Sequence, residues 1–234
     1  ACAASAWNRE SFAIHRELAA AAERDGGPPI RLCFAVHPQL PAEDPGAVED
    51  ALLAMETEAE GLAAVGETGF DLYDRRYRET EAPQDKLFAL HLDFALRRGL
   101  PLVLHVRRAL HKIFPHTGDL RRLPAVLFHS WPGSPEDGLS LLRRGINAYF
   151  SFGTALLLNH KNALRSCASL PVDRLLLETD APYQPLRGAE FSRWADLPAL
   201  LKAAASLRRE AGKPGGNPAE LERIIDGNFF RVFI

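Results

Sequence analysis

Cysteine, methionine and long apolar runs are all scarce in this chain of 234 residues. The three cysteines, Cys2, Cys33 and Cys167, are odd in number and far apart. That excludes a disulfide framework and reads as small core residues in a reducing compartment. No apolar run reaches the length that crosses a bilayer, and the charge-free opening Ala1–Asn8 is too short for a signal peptide. A cytoplasmic protein without membrane contact is expected. The net charge of -2 excludes nucleic-acid binding by bulk charge alone but leaves room for a local basic rim. No glycine-rich phosphate loop follows any apolar run, which argues against a nucleotide-binding fold. Repeats, low-complexity tracts and linker-like shifts in composition are missing too, so one domain over 1–234 is expected. The sole methionine is Met55 and the chain opens at Ala1, so it is expected to begin downstream of a translation start.

What the chain does have is alternation. Strand-like runs at Ala1–Ser5, Arg31–Val36, Leu62–Gly66, Leu102–His105, Ala125–His129, Ala148–Ser151 and Leu175–Glu178 are separated by amphipathic helical patterns. The helical patterns are Ser11–Arg24, Ala47–Glu60, Gln84–Arg98, Ser134–Arg143, Leu156–Ala168, Trp194–Ala211 and Pro218–Arg231. Strands separated by helices must pair in parallel, because a tight turn joins only antiparallel neighbours. An open doubly wound sheet and a closed (β/α)8 TIM barrel both satisfy that rule. The polar residues decide for the barrel: His37, Glu67, His105, His129, Ser151 and Asp180 each fall at or beyond the end of a different strand. In a barrel those ends ring a single site, whereas in an open sheet functional groups gather near the switch point. Seven strands are read where a barrel needs eight, so the first strand is expected upstream of Ala1.

Two carboxylates and two imidazoles at strand exits form a metal-ligand set. Glu67, Asp180, His105 and His129 suit divalent Zn, Mn or similar ions better than soft thiolate chemistry does. Each has a plainer alternative: Glu67 could pair with Arg75, Arg76 or Arg78, and either histidine could be a hydrogen-bonded core residue. Gly66 and Gly69 flank Glu67 and let the backbone approach a ligand or turn sharply. Asp71 reads as the cap of the next turn. Asp180 could bind metal, take a proton from an activated water, or both. Glu178 points to the opposite face from Thr179, which leaves its place in the site open, and an ion pair with a helix arginine is its plainer alternative. Arg107 follows His105 by two and can share its direction, so with His37 and Arg187 it would make an anion site for phosphate or carboxylate. His91, His111, His116 and His160 read as surface or packing residues.

Together these residues resemble the TatD family of metal-dependent deoxyribonucleases, a branch of the amidohydrolase-like TIM barrels. The resemblance runs in order through Val36-His37-Pro38, Gly66-Glu67-Thr68-Gly69-Phe70-Asp71, Pro101-Leu102-Val103-Leu104-His105-Val106-Arg107 and His129-Ser130-Trp131 with Gly133. It continues through Glu178-Thr179-Asp180-Ala181-Pro182-Tyr183, its most specific element, to Asn228, Arg231 and Phe233. It implies two divalent ions (Mg, Mn or Zn), with Glu67 bridging both, His105 and His129 on one and Asp180 on the other. It implies hydrolysis of DNA, with RNA as a further substrate, through a metal-activated water, with Glu67 and Asp180 catalytic. The family's opening strand carries a His-x-His pair, which nothing here matches; His15 lies in a helical pattern. The alternatives are a related barrel hydrolase acting on a small phosphoester, lactone or amide, and a non-catalytic barrel that binds a partner. A monomer is expected.

Overall fold

The computed structural model describes residues 1–58 and 60–233. Seven strands occur among them: β1 (Cys2–Ala6), β2 (Ile30–Phe34), β3 (Ala64–Asp71), β4 (Leu102–Arg107), β5 (Val126–Phe128), β6 (Ala148–Phe152) and β7 (Leu175–Leu177). The helices are α1 (Arg9–Arg24), α2 (Leu40–Glu43), α3 (Ala47–Thr57), α4 (Arg75–Arg78), α5 (Glu81–Arg98), α6 (Leu110–Ile113), α7 (Thr117–Leu120), α8 (Pro135–Arg143), α9 (Lys161–Ser169), α10 (Leu197–Glu210) and α11 (Pro218–Phe233). None of the described helices is long and apolar enough to cross a membrane.

The chain forms two compact units, residues 1–126 with 233–234, and residues 127–232. In each, strand order follows the sequence, β1 to β4 in the first and β5 to β7 in the second. The pairs β1–β2, β2–β3, β3–β4 and β6–β7 are parallel. Parallel strands are covered on both faces, and the residues of β3 to β7 are mostly buried, as in Val-Leu-Phe of β5 and Ala-Tyr-Phe-Ser-Phe of β6, while β1 and β2 are mostly half-buried. In the first unit Phe12 of α1 stacks on Phe34 of β2 with ring centroids 4.7 Å apart. A neighbouring cluster joins Val36, Leu40, Ala51 and Leu87. The core of the second unit contains Phe128, Trp131 and Phe150 in mutual ring contact.

Three local readings change. The strand expected to stop at Gly66 runs on to Asp71, because one extra residue is accommodated between Val65 and Thr68 while β4 advances only from Leu102 to Leu104. That bulge keeps the ladder going and re-aims the side chain inside it, which is Glu67. The single helix expected at Leu156–Ala168 is a 3-10 turn at Thr154–Leu156 followed by α9, because Asn159 adopts φ 58° and breaks the helical path between them. Gly66 and Gly69 are needed for strand packing: a Cβ on Gly69 would lie 2.3 Å from the His105 carbonyl oxygen, and one on Gly66 would lie 2.5 Å from the Val103 Cβ. The close approach they permit is that of β4, not of a ligand.

Candidate metal centre

The bulge in β3 turns Glu67 toward two imidazoles. His105 Nδ1 lies 2.8 Å from Glu67 Oε1, and His37 Nε2 lies 3.5 Å from the same oxygen. The His37 and His105 rings meet edge to face at 4.7 Å. All three groups are partly buried and can each present a ligand atom within 4.8 Å of the others.

The second nitrogen of His105 decides what the first can do. Nε2 lies 3.0 Å from Asp71 Oδ2, and Asp71 is completely buried. Asp71 also accepts from the Gln39 side-chain amide at 2.7 Å and from the Tyr73 N–H at 2.9 Å. Burial pushes the Asp71 carboxyl up, but the His105 hydrogen bond, the Tyr73 N–H, the His105 charge and the Gln39 amide together hold it below the usual carboxylate range. With the ring neutral, an ionised Asp71 favours the ring proton on Nε2, and Nδ1 is then the lone pair that faces Glu67. A lone pair and a carboxylate oxygen in contact require a cation or a proton between them, so the donor set fits a divalent ion.

His37 has the opposite bias. Its Nδ1 accepts the Gln39 backbone N–H at 3.2 Å, which puts the proton of the neutral ring on Nε2 and makes that atom a donor. Beneath both residues, buried His91 of α5 takes the Val36 N–H on Nε2 at 3.0 Å, and its Nδ1 lies 2.6 Å from the Leu87 carbonyl and 3.2 Å from Thr68 Oγ1. It therefore ties the residue before His37 to the residue after Glu67. Burial lowers its pKa to about 4 despite the Leu87 carbonyl, so the ring is neutral. The packing role read for His91 is thus also a positioning one.

The second unit repeats the device. His129 Nδ1 lies 3.0 Å from the Glu178 carboxylate, and His129 Nε2 lies 3.7 Å from Asp180 Oδ2. Glu178 also accepts from the Ser130 N–H at 3.0 Å, from the Ser130 hydroxyl at 2.5 Å and from the Ser151 hydroxyl. Burial raises the Glu178 carboxyl, but the His129 charge and hydrogen bond and the two serines outweigh it and hold it low. The plainer alternative for Glu178, an ion pair with a helix arginine, is not what forms. The strand ends at Leu177, the chain turns there, and the carboxylate reaches His129 rather than the outer face. Gln184 completes the network, its side-chain amide donating to Asp180 Oδ2 at 2.7 Å and to Ser130 Oγ at 2.8 Å.

Among the residues read as anion binders, Arg107 lies 3.9 Å from Asp71 Oδ2 and 3.7 Å from the Tyr73 ring centroid. It thus shares a carboxyl oxygen with His105, as their spacing implied. Arg187 is exposed in the segment after β7. Asp71 does cap its turn through Tyr73, but its contact with His105 was not foreseen. Glu178, Gln39 and Ser130 were missed in the same way, since a partner chosen across 32 to 49 residues leaves no local pattern, and so was Gln184, which reaches Ser130 across 54. For Glu178 and Asp71 the signal was a carboxylate at the end of an apolar run with no helical arginine at a fixed spacing.

The chain matches the family described as TatD related DNase over residues 7–234. It is 34% identical over 196 residues to the "3'-5' ssDNA/RNA exonuclease TatD" of Cronobacter sakazakii, covering 78% of this chain and 69% of that protein. It is 32% identical over 239 residues to the "metal-dependent hydrolase YcfH" of Escherichia coli K12, covering 99% of this chain and 82% of that one. Among solved structures, the TatD homologue YJJV of Escherichia coli K12 superposes with a TM-score of 0.80 at 26% identity, over 99% of this chain and 85% of that chain. A TatD-family hydrolase from Entamoeba histolytica shares the fold with a TM-score of 0.75 at 15% identity, over 99% and 84%. The fold is thus of the (β/α)8 TIM-barrel class read from the strand-end pattern. The chain belongs to the TatD-related DNase family and is a metal-dependent hydrolase acting on ester bonds.

Proposed function

We propose that this chain removes nucleotides from the ends of DNA, with RNA as a second substrate, using two divalent ions (Mg, Mn or Zn). Glu67, His105, His129 and Asp180 would hold them, Glu67 shared between the two, His105 and His129 with one and Asp180 with the other. One observation carries the reading. In both histidines one ring nitrogen is committed to a carboxylate that is buried (Asp71) or partly buried (Glu178), and the other faces a second acid. A ligand imidazole is commonly oriented in this way, with one nitrogen held by a carboxylate and the other turned to the ion. Membership of the TatD-related DNase family and the exonuclease name of the Cronobacter relative support the substrate class.

The ions would supply Lewis acidity, bringing a bound water toward ionisation near neutral pH and stabilising charge on the phosphoryl oxygens. The chain's own groups do the rest. Asp180, held through one oxygen by Gln184, takes the proton of the attacking water. His37, with its proton biased to Nε2 by Gln39, donates to a phosphate oxygen. Arg107 and Arg187 supply cationic contacts to the flanking phosphates. Water adds to phosphorus, the phosphorus–oxygen ester bond breaks, and the departing sugar oxygen is protonated. In this reading residues 1–234 work as one hydrolase domain, monomeric and cytoplasmic.

The test is end-labelled DNA and RNA oligonucleotides incubated with the purified protein and Mg2+, Mn2+ or Zn2+. Stepwise shortening is expected, reduced by at least about a hundredfold in Asp180→Asn. Intact oligonucleotides with all three metals, or cleavage confined to small phosphoesters, would overturn the assignment.

A further inference from the structure

The pairing of β3 with β4 runs on past the strands themselves. The Leu72 N–H donates to the Arg107 carbonyl at 2.9 Å, which brings the next residue of each chain, Tyr73 and Arg108, into contact. Successive residues of a strand point to opposite faces. Arg107 and Arg108 nevertheless both reach the Tyr73 ring, with guanidinium carbons 3.7 Å and 4.6 Å from its centroid. Arg108 can do so because it adopts φ 54°, which turns the chain out of the strand. Arg78 of α4 joins them. Its Nη1 donates to the Leu72 carbonyl at 3.3 Å and to the Tyr73 carbonyl at 3.1 Å, and Arg108 Nη1 donates to that same Tyr73 carbonyl at 3.3 Å. Two guanidinium groups thus converge on one neutral oxygen while a third lies against the ring.

Like charges gathered in this way repel unless an anion offsets them. The neighbouring cations are already matched: Arg75 pairs with Glu79, Arg76 with Glu43, and Lys112 with Glu81 and Asp85. Asp74, the acid beside Tyr73, accepts the Tyr77 N–H at 3.1 Å. Among the described residues no carboxylate pairs with Arg78 or Arg108, and Arg107 reaches Asp71 Oδ2 only at 3.9 Å. That oxygen already meets His105 at 3.0 Å and the Gln39 amide at 2.7 Å. Stacking occupies the flat face of a guanidinium and leaves its N–H edge, which fits the oxygens of a phosphate. An internal phosphodiester brings one charge and two free oxygens, which a single guanidinium satisfies. A phosphomonoester brings close to two charges and three strong acceptor oxygens, which matches three guanidiniums.

We propose that Arg78, Arg107 and Arg108, gathered on Tyr73, form a site for a terminal phosphomonoester of the substrate strand. Arg107 shares Asp71 with His105, so the ester bond next to the phosphorylated end is the one presented to the candidate metal centre. This rests on the nuclease reading and adds to it the chemistry of the strand end that is taken first.

The test measures binding without cleavage, by fluorescence anisotropy in EDTA. The probes are oligothymidylates of equal length with an internal label, carrying a phosphate at one end, at the other end or at neither. The parent is expected to bind one of the phosphate-ended probes about tenfold or more tightly than the hydroxyl-ended one. Arg78→Gln and Arg108→Gln should each lose most of that preference. Arg75→Gln removes the same charge from a residue already paired with Glu79 and should keep it. A parent that binds all three probes alike, or binds none, would overturn the site. So would an equal loss of preference in Arg75→Gln, which would assign the effect to bulk charge. Cleavage is scored separately with Mn2+. An end-phosphate preference without cleavage would sink the nuclease reading alone, and cleavage without that preference would sink the terminal-phosphate site alone.

Discussion

His129 and Glu178 meet at 3.0 Å through Nδ1, and that contact determines which nitrogen of the ring is left for a ligand. Glu178 is ionised and accepts from two serines as well, so a neutral His129 ring carries its proton on Nδ1 and turns Nε2 to Asp180. The first unit uses the same device with the nitrogens exchanged: Asp71 holds Nε2 of His105, and Nδ1 faces Glu67.

Because both imidazoles are oriented by a carboxylate, Glu178→Gln and Asp71→Asn should each weaken divalent-ion binding by about 10- to 100-fold without removing a ligand. Calorimetric titration with Mn2+ or Zn2+ measures this. Parent-like affinity in both variants would show that the two acids are structural only.

Direct ligand loss should be more severe. Glu67→Ala and His129→Ala are expected to lower metal affinity beyond the positioning variants and to abolish any metal-induced rise in melting temperature, which mass action ties to affinity. Thermal scans with and without Mn2+ give the comparison. An unchanged metal-induced shift would remove these residues from the site.

Gly69 has φ 131° and no room for a methyl group, because the His105 carbonyl would lie 2.3 Å from it. Gly69→Ala must therefore push β3 and β4 apart where Glu67 and His105 meet. A loss of about 2 kcal/mol or more is expected in urea unfolding, together with weakened metal binding. A neutral substitution would mean that the strands can separate without cost.

The His91 ring is neutral when folded, with its pKa lowered to about 4 from 6.5 by burial. The unfolded chain binds this proton more readily, so the stability associated with His91 is complete above pH 6.5 and falls as pH drops toward 4. The full shift corresponds to about 3 kcal/mol at the acid end. Unfolding curves between pH 7 and pH 4 should show that slope, and His91→Gln should flatten it. An equal slope in the variant would assign the loss to other groups.

Legibility in the sequence followed the range of the interactions. Apolar runs bounded by turns made the strands visible, and the clear period of Gln84–Arg98 marked α5, whose observed start lies three residues earlier because Glu81, Ala82 and Pro83 bury no apolar face that would show in the period. The bulge at Glu67 was invisible, since it arises from the register against β4 rather than from any residue type in β3.

Residue chemistry along the chain was enough to single out Glu67, His105, His129 and Asp180 as candidate donors, because carboxylates and imidazoles rarely end apolar strands without a purpose. Residue type could not say which nitrogen of each ring would face its neighbouring acid. That choice belongs to Asp71 and Glu178, 34 and 49 positions away from the histidines they hold. Hydrogen-bond partners at such separations are chosen by strand register and by the turn after β7, and these exist only once the chain has folded.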